Sequence, residues 1–390
     1  MKQSLSLYVH IPFCRAKCVY CDFNSYAGKE ALIPSYVDAL LIEAQGWSAA
    51  SRDAVVGTVF LGGGTPSLLP LDEAERLMRG LSSHFEIAPD AEISLEANPE
   101  SVDAGYLQGL RRLGFNRLSL GVQSFDDCEL RFLGRIHSAA RAQEAYREAR
   151  AAGFDNVNFD LVFGLPGQSL DGWQRTLKRA LSLRPEHLSL YALTVEEETP
   201  LAAIIERGDA PPPDDDAQAE MYVRSEELMA RAEYEHYEIS NWALPGRRCR
   251  HNLTYWGNRW YVGLGAGAHS RVGGLRLANR RSPERYVRSL AGRAPAPSPP
   301  APHRMPQIES FEEIGPDTDA ADTIILGLRL IDGVSLDDFR RRFGFDLTDR
   351  YAKEIAELRD LGLLELLDGR LRLTARGRLL ATEVALRFLP

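Results

Sequence analysis

Short apolar runs alternate with longer amphipathic stretches through the first half of the chain. Residues 5–10, 58–61, 92–96, 117–120, 156–162 and 187–193 are short and rich in Leu, Val, Ile and Phe, the pattern of buried strands. Between them, 34–47, 71–84, 102–113, 139–152 and 170–183 repeat their apolar positions every three or four residues, the pattern of helices packed on one face. Strand and helix in alternation at intervals of about 25–40 residues predict βαβ units and a parallel sheet. Six such units fit a doubly wound sheet or an open barrel. Polar residues collect where the strands end: Gly62-Gly63-Gly64-Thr65-Pro66, Glu96 with Asn98, Gln123 and Asp160. Polar groups at the carboxyl ends of many strands favour the mouth of a barrel over a single crevice.

The pattern loosens after residue 200. Pro211-Pro212-Pro213-Asp214-Asp215-Asp216 reads as a turn that opens a helix, with carboxylates at its positive end. The glycine-rich run 263–269 lacks the G-x-G-x-x-G spacing and its strand–helix context, so a dinucleotide site is discounted. Residues 294–302 (APAPSPPAP) have the composition of a linker. Three domains follow: 1–293, with an extension after the barrel from about 200; a proline-rich linker over 294–316; and 317–390. The last segment reads as helices at 319–330, 336–343 and 349–361, then strands at 363–367 and 370–373 joined by an Asp368-Gly369 hairpin turn. Three helices and a hairpin resemble a winged helix.

Composition narrows the function. The chain has 46 Lys and Arg against 55 Asp and Glu, a net charge of −9, which excludes a global basic footprint for nucleic acid. The winged segment itself holds 12 basic and 14 acidic residues, so packing or partner docking suits it better than DNA. No apolar run approaches the ~18 residues of a membrane span. Residues 1–14 alternate as a strand does, and the segment is not read as a signal peptide. Three of the five cysteines lie within eight residues. That clustering suggests a metal site in a reducing cytoplasm rather than a disulfide framework.

The cluster is Cys14-Arg-Ala-Lys-Cys18-Val-Tyr-Cys21, on the loop after the first strand. Three thiolates on a compact loop can hold three corners of a cubane iron–sulfur cluster and leave one iron open. A Cys3His zinc site using His10 is the alternative. Cys128 and Cys249 read as structural.

With these motifs the chain resembles the radical SAM superfamily. The resemblance is to the branch that holds oxygen-independent coproporphyrinogen III oxidase and the haem chaperone HemW family. The stretches that carry it are YVHIPFCRAKCVYCDF, LGGGTPS, SLEANPES, LSLGVQSF, LGRIHS, NFDLVFGLPGQ and HNLTYW, spread from Tyr8 almost to the C-terminus. It implies an α/β fold: a partial parallel (β/α)6 TIM-like barrel of the radical SAM type, plus a small C-terminal α+β winged-helix-like domain. It implies a 4Fe-4S cluster on Cys14, Cys18 and Cys21. It also implies S-adenosylmethionine at the open iron, cleaved by one electron to methionine and a 5′-deoxyadenosyl radical. Tyr8, Gly63, Gly64, Thr65 and Glu96 match the cofactor-binding positions. Gly63 and Gly64 would let main-chain atoms approach the methionine amino group, and Glu96 would accept from the ribose. Gln123, Arg135 and Asp160 match the residues that hold a second S-adenosylmethionine in the oxidase; a simple Arg135–Asp160 ion pair is the plainer alternative.

Two departures separate oxidase from chaperone. The oxidase continues its motif as C-x3-C-x2-C-x-C, but here Phe23 stands at the fourth position. The oxidase also carries a long segment ahead of its first strand, and thirteen residues precede Cys14 here. Both point to the chaperone, as does Arg250-His251-Asn252-Leu253-Thr254-Tyr255-Trp256. A histidine among aromatic rings suits haem, so His251 is the expected haem ligand, with His269 and His303 as competitors. The resemblance implies haem as cargo, haem-dependent respiratory proteins as acceptors and an electron donor for the cluster. It makes coproporphyrinogen oxidation an alternative that the departures disfavour, and a non-catalytic iron–sulfur interaction protein a third class. No catalytic residue is assigned.

Overall fold

The computed structural model describes residues 2–48, 51–292 and 304–389. Six strands form the frame: β1 (Gln3–Ile11), β2 (Ala54–Gly63), β3 (Ile87–Ala97), β4 (Arg117–Gln123), β5 (Val157–Phe163) and β6 (His187–Ala192). Each pairs in parallel with the next in chain order. The crossovers are helices α1 (Ile33–Ser48), α2 (Leu71–His84), α3 (Ala104–Arg112), α4 (Asp127–Phe132) with α5 (Ala139–Ala151), and α6 (Leu170–Leu183). This is the parallel barrel frame expected from the alternation. The helix expected over 102–113 begins at Ala104 because Asp103 caps it, its side chain accepting from the Tyr106 N–H at 2.8 Å.

Side-chain alternation sorts the barrel. Leu7, Val9, Val59, Leu61, Leu95, Leu118, Leu120, Phe159, Leu161, Leu188 and Leu190 are fully buried in one apolar core with residues of the helices. The alternate positions are polar and buried: Ser6, Thr58, Glu92, Ser94, Arg117, Ser119, Asn158, His187 and Ser189. Strand register lines Glu96, Ser119, Asn158 and His187 up as one polar row. The mouth of this polar interior is where the functional side chains gather.

The extension after the barrel builds both edges of one twelve-stranded sheet. Strand 241–243 pairs antiparallel with β6, and 235–238 lies beyond it. On the other side, Tyr261–Leu264 pairs in parallel with β1, followed by the antiparallel strands His269–Val272, Leu275–Asn279 and Ile308–Glu313. The linker expected over 294–316 is therefore shorter at its C-terminal end. Ile308–Glu313 is a sheet strand, matched from Leu275↔Glu313 to Asn279↔Ile308. The proline run 294–302 and His303 lie outside the described residues. The 263–269 run ends one strand, turns over residues 265–268 and begins the next strand, with no helix start. Gly265 (φ +102°) and Gly267 (φ +75°) hold its reversals.

The C-terminal part has its own apolar core around Ile324, Phe339, Ile355, Leu371 and Phe388. Helices Pro316–Gly327 and Leu336–Phe343 precede a hairpin, Leu364–Leu367 with Arg370–Leu373. Asp368 and Gly369 both have positive φ, as a two-residue turn of this kind needs. The single helix expected over 349–361 is two, Leu347–Arg350 and Ala352–Asp360, broken at Tyr351. A third strand, Val334–Ser335, and two terminal helices complete the unit. It joins the barrel through Asp319, which pairs with Arg271 and Arg342 and accepts from Asn258.

Candidate cluster and cofactor site

Cys14, Cys18 and Cys21 are free thiols at the barrel mouth. Their loop is held from several sides. Phe13–Cys14 pairs with Tyr26–Ala27, and Asn24 donates to the carbonyls of Ala266 and Arg281, both at 3.0 Å. All three thiols line one cavity of about 360 Å3. The same cavity is lined by Gly63, Gly64, Thr65, Glu96, Gln123, Arg135 and Asp160, so the structure brings these predicted residues together.

Each sulfur has a polar neighbour. Thr65 Oγ1 donates to Cys14 Sγ at 3.5 Å, Arg135 Nη1 to Cys18 Sγ at 3.4 Å, and Ser25 Oγ lies 3.9 Å from Cys21 Sγ. Burial pushes the Cys14 and Cys21 thiols up, and these donors oppose the shift. Three thiols, two of them with donors aimed at sulfur, fit a metal–thiolate site. Among the described residues, no three His, Cys, Asp or Glu side chains converge on a single ion. His10 also cannot complete a zinc set as it stands. Its Nε2 bonds the Asn24 carbonyl at 2.9 Å, and its Nδ1 bonds the Tyr8 hydroxyl at 2.9 Å. The residues fit a cluster that three cysteines would hold.

The glycines after β2 have a tighter purpose than an open approach. Gly63 has φ +115°, and a Cβ there would meet the His10 ring at 2.4 Å. A Cβ on Gly64 would meet the Phe13 carbonyl oxygen at 2.7 Å. They are glycines because β1 and the cysteine loop pack on them. Their main chain also lines the cavity, so this packing stands beside the expected approach of the methionine amino group.

Glu96 accepts from the Gly63 N–H at 2.9 Å. Burial first, then the nearby Asp160 charge, pushes its carboxyl up to about 7. Asp160 accepts from Ser119 at 2.8 Å and Asn158 at 2.9 Å, and burial raises its pKa too. Arg135 does not pair with Asp160. Its guanidinium reaches Asn98, the Gly121 carbonyl at 2.8 Å and Cys18. Gln123 sits at the end of β4 with φ +64°. Tyr8 stands beside the cavity, against Phe60 and His251.

His251 is a different case. It is 1% exposed, its ring lies 5.0 Å from that of Phe60, and both ring nitrogens are engaged. Nδ1 lies 2.7 Å from Thr58 Oγ1, and Nε2 2.9 Å from the Tyr255 hydroxyl. Burial pushes its pKa down to about 3. As an axial ligand it would first have to lose one of these partners. The expected haem ligand is thus, in this structure, a neutral, sealed histidine of the barrel interior. The sequence also gave no signal for Tyr191, Leu193, Thr194 and Glu196, which close the far wall of the thiol cavity. Tyr191 lies near the end of β6, and the other three follow it in a loop without a motif.

Comparison with known proteins agrees with this geometry. Residues 8–180 match the radical SAM superfamily, and 314–380 match the HemN C-terminal domain. The chain is 40% identical to the heme chaperone HemW of Mycobacterium tuberculosis, over 98% of this chain and 94% of that protein. It is 36% identical to the heme chaperone HemW of Bacillus subtilis, over 98% and 99%. Among solved structures, coproporphyrinogen III oxidase (HemN) from Escherichia coli, a radical SAM enzyme, superposes with a TM-score of 0.85 at 25% identity, covering 99% of this chain and 90% of that one. The chain belongs to the HemW haem-chaperone family of the radical SAM superfamily.

Proposed function

We propose that the chain is a haem chaperone that carries a 4Fe-4S cluster and S-adenosylmethionine and passes haem to haem-requiring proteins, working in the cytoplasm. The family, matched over 98% of the chain, carries the reading. Cys14, Cys18 and Cys21 hold the cluster, which when bound supplies an electron to S-adenosylmethionine. Glu96, fixed by the Gly63 N–H, is placed to accept from ribose hydroxyls at the floor of the same cavity. Arg135 sets positive charge beside Cys18 and ties that loop to β4 through Gly121. Asp160 holds its two donors, and its charge adds to burial in raising the Glu96 pKa. Among the described residues no helix is long and apolar enough to cross a membrane. An electron donor and a haem acceptor are the partners this reading requires.

Coproporphyrinogen oxidation is the disfavoured second reading, since Phe23 replaces the oxidase's fourth cysteine and stands 63% exposed at the mouth. The two readings part in one experiment. The cluster-loaded chain is titrated with haemin and, separately, incubated with coproporphyrinogen III, S-adenosylmethionine and reductant. A saturable Soret change without protoporphyrinogen formation is expected. Turnover with no haemin binding would overturn the proposal.

A further inference from the structure

A second cavity, of about 390 Å3, opens beside the thiol cavity and shares Phe23, Gly63 and Glu96 with it. Its other walls include Tyr8, Tyr255, Tyr261 and His269. Tyr255 and Tyr261 pack edge to face with ring centres 4.7 Å apart. His269 is the first residue of the strand His269–Val272, which lies between Tyr261–Leu264 and Leu275–Asn279, and its side chain is exposed. Among the described residues, only His84 and His269 have no hydrogen-bonded ring nitrogen, and His84 lies at the end of α2, away from either cavity. Positive charge stands nearby on Arg276 and Arg281. Arg276 is tied to Glu312 and Asp322, whereas the Arg281 side chain has no partner among the described residues.

Haem asks for three things at once: a flat apolar contact, a neutral nitrogen base for the iron, and cations for two propionates. We propose that haem docks in this second cavity, with His269 as the axial ligand, Tyr255, Tyr261 and Phe23 against the macrocycle, and Arg281 toward a propionate. The inference rests on the haem-chaperone reading and places its cargo. It also gives the His251–Trp256 run a part in the site without ligation. The helix Arg250–Trp256 turns His251 inward and presents Tyr255 to the cavity. Partial desolvation and the two arginines lower the pKa of His269, which favours the ligating form of its imidazole. The shared walls would set cargo and cofactor side by side.

The test is haemin titration of the full chain, read from the Soret band, with S-adenosylmethionine binding as the folding control. His269→Ala should lose the histidine-ligated spectrum and bind haemin at least tenfold more weakly, with cofactor binding kept. His269→Cys should regain ligation with a thiolate-type spectrum. Arg281→Gln should weaken haemin but not its dimethyl ester, which lacks the anionic propionates. A wild-type spectrum and affinity in His269→Ala would overturn this placement and leave the chaperone reading intact. Failure of the unaltered chain to bind haemin would overturn both.

Discussion

Tyr255 donates its hydroxyl hydrogen to Nε2 of His251, across 2.9 Å. The direction follows from the other side of the ring. Thr58 gives its own hydrogen to Ser6 at 2.8 Å, so it can only accept from Nδ1. The tautomer is set, and the histidine is a link in a buried polar chain that runs on from Ser6 to Thr254.

His251→Gln should therefore destabilise the barrel by about 2–3 kcal/mol, the cost of leaving buried partners unpaired, and should leave the haem spectrum unchanged. The pH dependence gives the sign. With the folded pKa near 3 and the unfolded one near 6.5, the folded chain binds fewer protons between these values. Stability should then fall as pH drops from about 6.5 toward 3, and that slope should be shallower in His251→Gln. Denaturant melts across this range measure both. An altered Soret band in the variant would return the ligand role to His251.

Arg135 bears on the cluster. Arg135→Met removes a cation 3.4 Å from Cys18 Sγ. The cluster should still assemble, with about four irons per chain, but its reduction potential should move to more negative values because the added electron loses a nearby positive charge. Cys18→Ala should abolish cluster absorption while thermal unfolding stays close to wild type. Iron analysis and a redox titration decide. An unchanged potential in Arg135→Met would show that the guanidinium serves only the loop.

Glu96 should make cofactor affinity depend on pH. Its carboxylate is the accepting form, and its pKa is pushed up to about 7. S-adenosylmethionine affinity should rise as pH increases through that value. Glu96→Gln should flatten the profile and weaken binding by about 1–3 kcal/mol at high pH. Asp160→Asn removes the neighbouring negative charge, so the inflection should move to lower pH. Calorimetric titrations at several pH values would reveal a flat wild-type profile if the assignment were wrong.

Gly63→Ala should not act as a clean cofactor-binding variant. The new Cβ would collide with the His10 ring, and φ +115° is unfavourable for any L side chain. Thermal stability and cofactor binding should fall together. Normal stability with lost cofactor binding would restore the simpler idea that the glycine only makes room.

The barrel was legible because two periods carry it. Strands such as 117–120 are uniformly apolar or alternating, and helices such as Leu71–His84 keep a one-sided stripe. The cysteine spacing was legible because a thiolate site needs those residues close together in sequence, whereas Gly63, Gly64, Thr65 and Glu96 stood out as polar strand ends and took their expected roles from the family resemblance. What stayed hidden depends on contacts between distant residues. Nothing near His251 announces that Thr58, 193 positions away, occupies its Nδ1. Nothing in the glycine run says that the His10 ring fills the place of a side chain on Gly63. The strand Ile308–Glu313 was read as linker because it is exposed over nearly its whole length, so it lacks an apolar signature.

The cysteine loop has a consequence for how the chain comes into being. Its thiols are encoded within the first twenty-one residues, yet Asn24 fastens the loop to Ala266 and Arg281, and β1 needs Tyr261–Leu264 as its second neighbour. During synthesis the thiols precede these anchors by some 240 to 260 residues. At about 5–20 residues per second, that interval is on the order of tens of seconds. The loop in its anchored form therefore exists only once residue 281 has been made, and a nascent chain stalled before that point presents its three thiols without these anchors.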